Sequence, residues 1–120
     1  MSDAHPLGCM CHLELPAPDL ARAQAFYGEV FGWTFTPMSD TYVLYRDGLT
    51  GGGLDKDRPV TSEAGPVPVL MVESIETTLR KIEDWGGRGL TEKIELGEGM
   101  GCYAYFRDPN GNKLGIWAES

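Results

Sequence analysis

Polar and apolar residues alternate in the run CHLELP, residues 11–16, which closes on a proline as a half-buried strand does. The period then changes. Asp19 is placed to cap a helix reaching Phe31, with Leu20, Ala23, Tyr27, Val30 and Phe31 on one face and Gly32 to stop it. Three strand-like runs follow: WTFT, TYVLYR and the glycine-rich LTGGGL. Residues 55–66, DKDRPVTSEAGP, are polar and carry proline and glycine, which marks a linker. After it the order recurs. VPVLMV reads as a strand, and Ser74 caps a helix over 74–85 with Ile75, Leu79, Ile82 and Trp85 as its buried stripe. Gly86-Gly87 ends that helix, and LTEKIEL, CYAYFRD and NKLGIWAE give three more strands.

The two caps lie 55 positions apart, and strand–helix–strand–strand–strand occurs twice. The expectation is one α+β domain over residues 1–120, built of two βαβββ modules at about 9–54 and 67–119. One helix covers one face of each short sheet. Set side by side, the modules form a half-open eight-stranded sheet around a cavity, a natural place for a small ligand.

Composition narrows the partners. With 18 acidic and 10 basic residues the net charge is −8, which disfavours nucleic acid and anionic membrane surfaces. No apolar run approaches membrane-spanning length, and the N-terminus MSDAHPLG lacks the apolar core of a leader. Three cysteines cannot form a full disulfide framework, so a reducing, cytoplasmic setting is expected. The cluster CMCH invites a zinc reading. On a strand, however, Cys9 and Cys11 point one way and His12 the other, so the expectation is buried thiols rather than a metal site.

Two motifs change the picture. FYGEVFGW (26–33) closes the first helix and DPNGNKLGIW (108–117) ends the chain. On these, and on the repeated module, the chain resembles the vicinal oxygen chelate superfamily, which includes glyoxalase I, extradiol dioxygenases and bleomycin-resistance proteins. LTGGGL and LGIW are most similar to bacterial proteins related to lactoylglutathione lyase. The resemblance implies four metal ligands, one from each of four strands, and a cation that stabilises charge on neighbouring substrate oxygens. Carried onto this chain, the first position is His12, the second is Val67, the third falls in 49–53, which holds no carboxylate, and the fourth is Gly115. One imidazole cannot hold a divalent ion against water, so no metal cofactor is expected. Glu14 and Glu119 could serve only a rebuilt site.

With Gly115 inward, Lys113, Trp117 and Glu119 share its face, while Leu114, Ile116 and Ala118 pack beneath the helix. A type I turn with a glycine bulge at DPNG then sets Tyr103 and Tyr105 on that inward face. The expected ligand-binding residues are His12, Glu14, Tyr103, Tyr105, Lys113, Gly115 and Trp117, with a ligand lying against the bare backbone at Gly115. The expected function is binding of a small organic molecule without the metal. The alternative is a lyase or isomerase, with His12 or Glu14 as base and Tyr103 or Tyr105 as acid. Sheet edges and the resemblance together imply a homodimer.

Overall fold

The computed structural model of the chain describes Leu7, residues 10–60 and residues 66–120. Cys9 of the CMCH cluster lies outside them. In the first module, β1 (His12–Pro16) leads to α1 (Leu20–Phe31), then β2 (Thr34–Pro37), β3 (Tyr42–Arg46) and β4 (Gly51–Asp55). The second runs β5 (Val69–Met71), α2 (Ile75–Asp84), β6 (Arg88–Gly89), β7 (Ile94–Glu95), β8 (Cys102–Arg107) and β9 (Lys113–Ala118).

Local chemistry sets the helix ends. The Asp19 carboxylate accepts from the Arg22 N–H at 3.1 Å, and the Ser74 hydroxyl accepts from Thr77 N–H at 3.2 Å. Gly32, at φ 77°, closes α1 with its N–H on the Gly28 carbonyl, and Trp33 N–H reaches back to Tyr27. The Gly32–Gly28 bond is the 5→1 bond of an αL stop, which favours a left-handed glycine. The α1 stripe buries Ala23, Phe26 and Tyr27. In α2, Ile75, Thr78 and Ile82 are buried, but Trp85 is 46% exposed. The helix ends at Asp84, so Trp85 leaves the periodic stripe and faces water.

The first sheet has the order β1-β4-β3-β2 and the second β5-β9-β8-β6, with β7 also on β8. Each opens on a parallel pair, β1 with β4 and β5 with β9, as a repeated module requires. The strand expected over LTEKIEL, the second of its module, is interrupted. Leu90 and Thr91 N–H both bond the Tyr105 carbonyl, a bulge that splits one edge into β6 and β7 and brings the strands among the described residues to nine. Among the described residues β1 pairs only with β4 and β5 only with β9, so both first strands keep a free edge.

The two signature motifs meet inside the protein. Buried Asp108 accepts the Tyr27 hydroxyl at 2.8 Å, Asn112 Nδ2 at 2.9 Å, and the backbone N–H groups of Asn110 and Asn112. Asn112 Nδ2 also donates to Pro16 O, and the Asn110 side chain pairs with the Asp19 backbone. The turn into β9 therefore holds both the start of α1 and the end of β1. Burial pushes the Asp108 carboxyl above the usual carboxylate range, and the donated hydrogen bonds oppose that shift. Around this hub, Tyr27, Trp33 and Tyr45 stack face to face at 4.3 Å spacings. Such pairs add roughly 0.5–1.5 kcal/mol each beyond burial.

Candidate functional site

On β8 and β9, side chains alternate between the α2 side and the open side. Cys102, Ala104, Phe106, Leu114, Ile116 and Ala118 are buried, whereas Tyr103, Tyr105, Lys113 and Trp117 are half-buried. The register pairs Tyr103 with Trp117 and Tyr105 with Gly115, the inward parity expected. The hairpin forms as anticipated: Gly111, at φ 96°, donates to Asp108 O, and Asp108 N–H bonds Asn112 O. A cavity of about 320 Å³ opens here, lined by Tyr103, Tyr105, Gly115, Trp117, Val69 and Leu96. Tyr103 and Tyr105 meet edge to face, with centroids 5.4 Å apart. A Cβ at Gly115 would stand 3.3 Å from the Tyr105 ring and from Val69 Cγ2. The bare backbone is thus already lined by Tyr105 and Val69, which corrects the picture of an uncovered strand. The Lys113 ammonium lies 4.7 Å from the Tyr105 ring centroid.

The first module carries a different surface. His12 and Glu14 lie on the face of β1 opposite buried Leu15, and Tyr42 reaches them from β3 across β4. The Tyr42 hydroxyl donates to Glu14 Oε2 and meets His12 Nε2, both at 2.9 Å. Arg58 Nη2 donates to Glu14 Oε1 at 2.6 Å. The Tyr42 bond, then Arg58, holds the Glu14 carboxyl below its ordinary range. Desolvation, then Glu14, pushes Tyr42 up to about 12.

The glycines of β4 make this crossing possible. A Cβ at Gly53 would lie 1.9 Å from the Tyr42 hydroxyl oxygen, and one at Gly52 the same distance from Leu13 O. On the other face, the Tyr45 hydroxyl passes Gly52 to donate to Leu13 O at 2.9 Å. Two tyrosines thus tie β3 to β1 over the three glycines of β4. LTGGGL is a bed for these rings.

The donors for a four-ligand metal centre do not fit. Of the four expected positions, His12 pairs with Gly51 and Gly115 with Val69, so His12 is the one donor among them. Val67 precedes β5, and the space above Gly53 is taken by Tyr42. Among the described residues no three His, Cys, Asp or Glu side chains gather. Cys11 is exposed, correcting the expectation of a buried thiol, because it precedes β1 and no helix covers it; Cys102 is buried.

The seven expected site residues fall into two groups. His12 and Glu14 belong to the Tyr42 cluster, and Tyr103, Tyr105, Gly115 and Trp117 to the aromatic cavity. Lys113 lies between them: it lines, with Glu14, a groove of about 450 Å³ beside β1, and it covers Tyr105. Sequence reasoning missed Tyr42, Arg58 and Asp108. The alternation of TYVLYR carried a signal for Tyr42; nothing local marked Arg58.

The chain matches the family described as Bleomycin resistance protein-like N-terminal over residues 10–44. It is 28% identical over 118 residues to a glyoxylase-like domain-containing protein of Didymella fabae, covering 91% of this chain and 92% of that one. It is 25% identical over 131 aligned positions to an anthracycline biosynthesis protein of Streptomyces peucetius, but spans only 47% of that protein's length. In three dimensions it is similar to the fosfomycin resistance protein FosX of Listeria monocytogenes, with a TM-score of 0.81, 14% identity and 96% of each chain covered. No helix among the described residues is long and apolar enough to cross a membrane.

Proposed function

We propose that this protein is a member of the vicinal oxygen chelate superfamily that binds a small planar organic molecule without the superfamily's metal; the bleomycin-resistance-like match, the glyoxylase-like relative and the FosX-like fold support the family. The aromatic cavity carries the reading. Tyr103, Tyr105 and Trp117 offer ring faces and edges around Gly115, and stacking needs shape, not an ion. Lys113 supplies a cation at its margin, over the Tyr105 ring. Catalysis by His12 or Glu14 is the alternative. Glu14 is already engaged by Tyr42 and Arg58, and those bonds hold its carboxyl below the ordinary range, away from the neutral pH at which acid–base catalysis works best.

The free edges of β1 and β5 support a homodimer, and the exposed thiol Cys11 suits a reducing cytoplasm. The test is elemental analysis after mild purification, together with titration of 2-naphthamide followed by Trp117 fluorescence against a Trp117→Phe control. One transition metal per chain that is lost in His12→Ala would refute the metal-free reading. A Trp117 signal indifferent to the probe would refute the cavity.

A further inference from the structure

The chain is acidic as a whole, with a net charge of −8, yet the groove beside β1 is not. Of the side chains lining it, Arg58, Arg107 and Lys113 are cationic and only Glu14 is acidic. That carboxylate is spoken for, with one oxygen on Arg58 and the other on Tyr42. Arg107 is tied through Nη1 to Gly111 O at 2.9 Å. Lys113 differs from both. Among the described residues it makes no ion pair, and its ammonium rests on the Tyr105 ring.

Position makes this informative. Lys113 lines the groove, while the ring beneath it lines the aromatic cavity with Gly115 and Trp117. One unpaired cation thus stands on the wall shared by a polar groove and an aromatic surface. The net charge draws cations only from afar, and salt screens it beyond roughly 8 Å. At contact distance Lys113 repels a cation and attracts an anion, and the partial dehydration of a half-buried ammonium strengthens that attraction.

We infer that the ligand is a planar organic acid. Its ring system lies against Tyr105 and Trp117, and its carboxylate reaches past Gly115 to Lys113, with Arg58 behind. This rests on the small-molecule reading above and adds the charge at one end of the ligand. Two probes of nearly equal shape, 2-naphthoate and 2-naphthamide, separate the two ideas by isothermal titration of the full chain. At about 0.05 M salt the naphthoate should bind about tenfold tighter, an advantage that shrinks at about 0.5 M salt. Lys113→Met, which keeps an unbranched side chain on Tyr105, should bring the two affinities together. Lys113→Gln gives the same comparison should the methionine variant fold poorly. Equal binding of both probes to the unaltered chain, or a naphthoate advantage that survives in both variants, overturns the anion site and leaves the aromatic reading standing. Binding of neither probe overturns both.

Discussion

Replacing Gly115 separates ligand space from core space. A Cβ there would touch the Tyr105 ring and Val69 Cγ2 at 3.3 Å, a few tenths of an ångström too close. Both neighbours can yield: Tyr105 borders the open cavity, and Val69 is exposed on an edge strand. Gly115→Ala recovers roughly 0.5–1 kcal/mol of backbone entropy. Turning Tyr105 about 30° from its rotamer costs roughly 0.5–1.5 kcal/mol. The two nearly cancel, so the net change stays within about 1 kcal/mol, or about 5 °C in melting temperature.

Leucine at the same position projects into the 320 Å³ cavity instead of the core. It should remove the ring contacts of a planar ligand with Tyr105 and Trp117, worth roughly 1–3 kcal/mol together, hence a loss of affinity of about fivefold to more than about a hundredfold. Thermal melts and 2-naphthamide titrations of both variants make the comparison. A fall of more than about 10 °C with ligand affinity unchanged would show that Gly115 faces the packed side and that the site is misassigned.

Gly52→Ala provides the contrast: its Cβ would lie 1.9 Å from the Leu13 carbonyl oxygen, backbone that cannot turn aside, so urea unfolding should show a loss of about 3 kcal/mol or more. Tyr27→Phe withdraws one of the four donors on buried Asp108 and should cost about 1–3 kcal/mol, read as a lower urea midpoint at unchanged slope. Acidification tests the Glu14 cluster. Because the folded carboxyl is held below its unfolded value, the unfolded chain binds the proton first, so this contribution is full above the carboxylate range and is lost as pH falls through it. Tyr42→Phe removes the largest cause of that shift and should flatten unfolding free energy against pH in the acid limb; an unchanged slope would refute it.

Much of this was legible along the chain, and the reason is locality. Asp19, Ser74 and Gly32 act on bonds within a turn of themselves, so both helices read within a residue or two of their ends. The inward set on β8 and β9 followed from one turn and strict alternation. What failed to read depends on distant partners. Tyr42 meets Glu14 only because β4 between them is bare, and Arg58 enters from a linker whose path no period encodes. The bulge at Leu90 and Thr91 answers to a carbonyl on another strand. Asp108 and Asn110 read as turn formers and nothing more, because the hydroxyl that Asp108 accepts lies 81 residues away.

The fit of Tyr42 over Gly53 also gives the molecule a direction of change. A carboxylate at position 53 would collide with the phenol that lies there, while loss of the phenol first would leave Glu14 and His12 without the group that joins them. Each single change at this crossing costs stability before the other can compensate. The bare strand and the tyrosine hold one another in place.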